Sequence, residues 1–134
     1  METVKGKPIS QLPLCGVFAV AFIAGKPVEE VFELFKDRYG KSNHWQGRVS
    51  RRACLAVLEQ IGIKFSPVQQ GDWKNCSLAK WIDWYTAKGK TYFVETSSHF
   101  QVVRDGIVHD QCGSLPIGKV KGRLSRVKRA LLIH

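Results

Sequence analysis

Apolar positions recur at helical spacing through the first two thirds of the chain and at strand-like spacing after it. Residues 14–24 are apolar nearly all round and are closed by Gly25, the pattern of a central buried helix. Val28, Val31, Phe32 and Phe35 stand at i, i+3, i+4 and i+7 and predict a second helix over 27–39, with Glu29 and Glu30 at its positive end and Gly40 as its stop. Ser50 caps a third, whose stripe of Cys54, Val57, Leu58 and Ile61 runs to Gly62. Cys54 is therefore a core residue. Residues 63–65 form a short strand candidate. After a loop holding Pro67 and Gly71, Ser77 opens a fourth helix striped by Leu78, Trp81, Ile82 and Tyr85 and ended by Gly89.

From Lys90 onward the pattern predicts strands over 91–96, 99–104, 107–111 and 126–133. Asp105-Gly106 between two of them is a strong two-residue hairpin signal. Helices first and sheet second gives an α+β chain. Its 134 residues, 44% of them hydrophobic, fit a single domain over 1–134, with no internal repeat or low-complexity linker.

Charge changes the picture in one respect. The formal net charge is +10, which predicts attraction to polyanions or to an acidic protein. Lys119, Lys121, Arg123, Arg126, Lys128 and Arg129 fall within eleven residues that contain no acid. A solvated strand explains this run better than a nucleic-acid site does, because stacking aromatics are absent from it. No apolar run approaches the roughly 18 residues of a membrane span, and the first residues lack the apolar stretch of a secretory signal, so no membrane and a cytoplasmic location are expected. Cysteines 15, 54, 76 and 112 form no Cys-x-x-Cys pair, which argues against a zinc knuckle or a redox motif and for reduced thiols.

Cys15 stands where a loop containing Pro13 turns into the buried helix. There the first-turn amides and the helix dipole favour a thiolate. Gly16 leaves room for a substrate backbone, and Gln11 is placed to donate an amide to an oxyanion. A lone cysteine on an apolar helix is more often a core residue, so Cys15 needs a base. The Asp105-Gly106 hairpin supplies one: it sets Arg104 opposite Ile107, Gln101 opposite Asp110 and His99 opposite Cys112. His99, Gln101, Asp110 and Cys112 then share a face, with His99 and Asp110 as diagonal neighbours, while His109 points the other way. Alternatives are a strand-end histidine beside a turn aspartate, or a metal bound by His99, Asp110 and Cys112, against which stands the lack of a closely spaced ligand pair.

Leu14-Cys15-Gly16-Val17-Phe18-Ala19-Val20-Ala21, followed by Gly25-Lys26-Pro27-Val28-Glu29-Glu30-Val31, resembles the catalytic-cysteine helix and next helix of small phage-type, papain-like cysteine peptidases. These are similar to the peptidase domains that process bacteriocin leaders. Gly89-Lys90-Thr91-Tyr92-Phe93-Val94-Glu95-Thr96-Ser97-Ser98-His99-Phe100-Gln101-Val102-Val103, running on to Asp110, is similar to the histidine and aspartate strands of that family, and Arg126-Val127-Lys128-Arg129-Ala130 to its last strand. The resemblance implies a papain-like fold, with N-terminal helices packed on a C-terminal antiparallel sheet. It also implies Cys15 as nucleophile, His99 as general base and acid, and Asp110 as orienting carboxylate. Gln11 departs from the pattern, standing two residues nearer the cysteine than the family's oxyanion glutamine, so Ser10 or a backbone amide is the alternative donor.

The expected activity is acyl transfer, hydrolysing a peptide or isopeptide bond, with a peptide or protein substrate that is acidic if the basic surface recruits it, and with no cofactor or metal. If the chain is phage-encoded, its compartment is the host cytoplasm. The rival class is a catalytically idle binding protein on the same scaffold, for example a phage-encoded inhibitor of a host factor that docks through the basic surface. Nucleic-acid binding is a third, weaker expectation, marked by a steep salt dependence.

Overall fold

Among the described residues four α-helices and a six-stranded antiparallel sheet make an α+β chain, as the periodicity predicts, with all but one of the sheet's strands after the last helix. The computed structural model describes residues 2–69, 71, 73, 75–97 and 99–134; Ser98, inside the stretch that carries the family resemblance, lies outside these. The chain forms two compact units, Met1–Ile63 and Lys64–His134.

The first unit opens with a small hairpin, β1 (Thr3–Val4) and β2 (Lys7–Pro8), and continues with α1 (Cys15–Ala24), α2 (Val28–Tyr39) and α3 (Arg51–Ile61). Each helix ends on a glycine in the left-handed conformation, and α3 begins as predicted, with the Ala53 amide donating to Ser50 Oγ at 3.1 Å. Leu14, Val17, Val20, Val31, Phe35, Cys54, Val57 and Leu58 are fully buried. Cys54 is thus core, and the all-round apolarity of α1 matches a helix that contacts both α2 and α3. Trp45, in the α2–α3 connection, stacks on Phe32 with ring centroids 4.8 Å apart.

The second unit holds β3 (Phe65–Pro67), α4 (Leu78–Tyr85), β4 (Thr91–Thr96), β5 (His99–Arg104), β6 (Ile107–Asp110), β7 (Gly113–Pro116) and β8 (Val127–Ile133), in the sheet order β3-β8-β4-β5-β6-β7. Leu78, Trp81 and Ile82 of α4 share a core with Tyr92, Val94, Val103, Val108 and Ala130, which project from one face of the sheet. Trp81 packs edge-on to both Trp73 and Tyr92. On β8, Val127, Ala130 and Leu131 are buried while Lys128 and Arg129 are exposed, as expected of a solvated strand. Among the described residues no helix is long and apolar enough to cross a membrane.

Three expectations are corrected. The strand expected at 63–65 lies at Phe65–Pro67, drawn there by pairing with Leu131 to Ile133. The fourth helix stops at Tyr85 instead of running towards Gly89: Thr86 turns extended while its hydroxyl donates to the Ile82 carbonyl at 2.6 Å, and the Ala87 amide donates to the Tyr92 hydroxyl. The strand expected over 107–111 ends at Asp110, and an unforeseen β7 pairs back on it.

Candidate active site

The β5–β6 turn is made by Asp105 and Gly106, both at positive φ (50° and 76°), a conformation that Asp tolerates and Gly adopts without strain. It sets the predicted register, Arg104 opposite Ile107, Val103 opposite Val108 and Val102 opposite His109. Strand alternation then puts His99, Gln101 and Asp110 on the face of Val103 and Val108. His99 Nε2 lies 3.2 Å from Asp110 Oδ2, so the structure brings together the two residues that the hairpin argument pairs. The imidazole keeps 40% of its exposure and remains reachable from solvent, whereas the carboxylate keeps 26%.

Cys112 does not continue β6 opposite His99. The chain turns at Gln111 and Cys112 into β7, so that Asp110 faces Gly113 and the Cys112 amide donates to Asp110 Oδ1 at 2.9 Å. Each oxygen of Asp110 thus has a donor. The hydrogen bond from His99 is the main cause that holds this carboxyl below its ordinary value of 3.8; burial opposes the shift, and the Cys112 amide and the charge of His99 reinforce it. A carboxyl that is more acidic in the folded protein stabilises the fold above about pH 4, and that contribution is lost as pH falls through the lowered value. Acid unfolding followed by circular dichroism is therefore expected to show an extra loss of stability below pH 4 that Asp110→Asn removes.

His109 takes the opposite face, as parity predicts. Its Nδ1 lies 2.6 Å from Ser114 Oγ, and burial lowers its pKa. Beside His99 the sheet carries two buried polar residues, Thr96 and Gln101. Thr96 pairs with His99 across β4 and β5, and Gln101 Nε2 reaches Thr96 Oγ1 at 3.5 Å. Thr96 was within reach of sequence reasoning, because the two residues between β4 and β5 fix it opposite His99. His99, Asp110, Thr96 and Gln101 line one side of a cavity of about 500 Å³ that lies wholly in the second unit.

Cys15 and Gln11 belong to the first unit. Cys15 is the first residue of α1, partly exposed, after a fully buried Leu14 that caps the helix without a side-chain hydrogen bond. The first turn carries no acidic residue, so nothing there offsets the positive end of the helix dipole beside the sulfur. Gln11 ends a 3₁₀ turn, Ile9–Gln11, and is exposed, as is Ser10. The four cysteines form no disulfide. No family model, curated protein or solved structure matches this chain. A histidine held by a carboxylate is equipped to move protons, and a thiol at a helix N-terminus is equipped to act as a nucleophile. Among the described residues no group of three or more His, Cys, Asp or Glu is arranged to hold a metal ion.

Proposed function

We propose that this chain is a cysteine-dependent peptidase or isopeptidase of papain-like arrangement, with Cys15 as nucleophile, His99 as general base and acid, and Asp110 as the group that orients His99. The observation that carries the reading is the 3.2 Å contact between His99 Nε2 and Asp110 Oδ2, in a chain where Cys15 is the cysteine that begins a helix. Asp110 fixes Nε2 as the nitrogen that carries a proton towards the carboxylate, which assigns proton exchange with the sulfur to Nδ1.

The Cys15 proton passes to His99, and the thiolate attacks the substrate carbonyl carbon to form a C–S bond. Negative charge moves to the carbonyl oxygen, which first-turn amides of α1 or the Gln11 side chain neutralise. As the C–N bond breaks, the imidazolium gives its proton to the departing amine. Water then surrenders a proton to His99 and attacks the thioester, releasing a carboxylic acid and restoring the thiol. Asp110 stabilises the imidazolium through both halves of the cycle.

A second reading is favoured by the stretch 111–134, which carries six Lys and Arg and no Asp or Glu: a binding protein that docks through this basic surface and uses no chemistry. Thiol reactivity separates the two. Iodoacetamide is expected to modify Cys15 near neutral pH at least about tenfold faster than the exposed Cys112, with Cys54 protected in the core, as followed residue by residue by mass spectrometry. Equal rates at Cys15 and Cys112 across the pH range would leave the docking reading standing and remove the enzymatic one.

A further inference from the structure

The connection between β7 and β8 also walls the cavity that His99 and Asp110 line. Its start is tied to the hairpin, where the Ile117 amide donates to the Gly106 carbonyl at 3.0 Å, and its end to α4, where the Leu78 amide donates to the Ser125 carbonyl at 2.8 Å. Between these ties Val120 packs against the core under α4, and the residues on either side of it, Lys119 and Lys121, both line the cavity. Among the described residues neither lysine makes an ion pair or a side-chain hydrogen bond, and no acid follows Asp110 in the chain. Among the described residues Asp110 is the one carboxylate that lines the cavity, and both its oxygens are already occupied by His99 and the Cys112 amide. Leu78, Val108 and Leu115 supply apolar surface to the same space. Lysine stems lie along apolar walls with the ammonium groups presented to whatever enters. A pocket of this volume and mixed lining, with two uncommitted cations at one side, suits a short segment that carries one carboxylate beside an apolar side chain.

We infer that this cavity is the specificity pocket of the site, and that it takes an acidic residue of a peptide substrate, its carboxylate held by Lys119 and Lys121 and the adjoining apolar residue held against Leu115 and Val120. As a statement about substrate, the inference rests on the peptidase reading. As a statement about binding, it needs only the second unit's own residues.

The test is a nuclear magnetic resonance titration of the full-length, ¹⁵N-labelled Cys15→Ser protein, which keeps the pocket and prevents turnover, with acetyl-Leu-Glu-amide and its near-isostere acetyl-Leu-Gln-amide. The glutamyl probe is expected to shift the amides of Gly113, Val120 and Gly122 and to bind about tenfold more tightly than the glutaminyl probe. Replacing both lysines (Lys119→Gln with Lys121→Gln) is expected to bring the two probes within about twofold while leaving the melting temperature unchanged, because both side chains are exposed. Equal affinities in the parent protein, no shifts at millimolar probe, shifts confined to other amides, or a preference that survives the double substitution would each overturn the inference. So would an oligonucleotide that shifts these amides where the glutamyl probe does not. If Cys15 proves no more reactive than Cys112 while the glutamyl preference holds, the peptidase reading falls and the pocket stands as a ligand site. A reactive Cys15 with no glutamyl preference removes the pocket inference alone.

Discussion

His99→Ala is expected to lower peptide turnover by about 10²–10⁴-fold or more, the range that positioned acid–base groups contribute, because in the proposed mechanism it removes both the acceptor of the thiol proton and the donor to the leaving amine. In that mechanism Asp110 acts only through His99, so its substitutions are expected to cost less. The structure says how much less by way of the two donors that Asp110 satisfies. A carboxylate accepts from His99 on one oxygen and from the Cys112 amide on the other. Asparagine has a single oxygen, so Asp110→Asn keeps either the imidazole or the β6–β7 turn in place and leaves the other donor without its partner. The loss should be mild, and Asp110→Ala, which abandons both donors, should fall between Asp110→Asn and His99→Ala. Alkylation against pH reads these differences without a known substrate. In the parent protein the profile should extend well below the free-cysteine value of about 8.5, as for a thiolate paired with imidazolium, and His99→Ala should return it towards that value. An unchanged profile in His99→Ala would take His99 out of the mechanism.

The elements that were legible in the sequence are those that local chemistry fixes. Ser50 and Ser77 each accept an amide at a helix start, Gly25, Gly40 and Gly62 each close a helix, and Asp105-Gly106 allows only one tight register, so α1 to α3 and the β5–β6 pair sit where periodicity puts them. That register is also why the His99–Asp110 contact was accessible to a reader of the sequence alone. What escaped depends on partners distant in the chain or on patterns too weak to see. Every residue of β7, Gly113–Pro116, is exposed, so the strand has no buried stripe and exists through its ladder to β6. The end of α4 is decided by the Thr86 hydroxyl and by Tyr92 from the sheet, which outweigh the stop signal at Gly89. Lys119 and Lys121 read as part of a solvated basic run. Their place at a cavity goes with Val120 packing against the core between them, which charge counting does not register.

Gly47 is the position whose role was least visible beforehand and whose substitution should disturb the first unit most. It is buried in the connection between α2 and α3, with φ at +104°, so any side chain there carries a backbone cost of roughly 1–2 kcal/mol. A Cβ at this point would also collide with the Leu14 side chain and lie 3.2 Å from the Phe32 ring. Leu14 is fully buried and Phe32 nearly so, and Phe32 is further held by the stack on Trp45, so neither can swing into solvent. Overpacking of this kind adds about 1–3 kcal/mol, a large share of the 5–15 kcal/mol by which domains are stable. Gly62→Ala is the matched control: its φ is +97°, but nothing lies within 4 Å of the added methyl, so it should show the backbone cost alone. In urea unfolding, Gly47→Ala is expected to shift the midpoint to clearly lower concentration than Gly62→Ala does, and Leu14→Ala should relieve part of the Gly47→Ala effect, giving a non-additive double-mutant cycle. Equal midpoints for the two alanine variants would mean that Leu14 yields cheaply. The same displacement should reach the chemistry, because Leu14 caps α1 and Cys15 follows it directly. In Gly47→Ala molecules that remain folded, the alkylation rate of Cys15 should fall towards that of Cys112, while in Gly62→Ala it should not move.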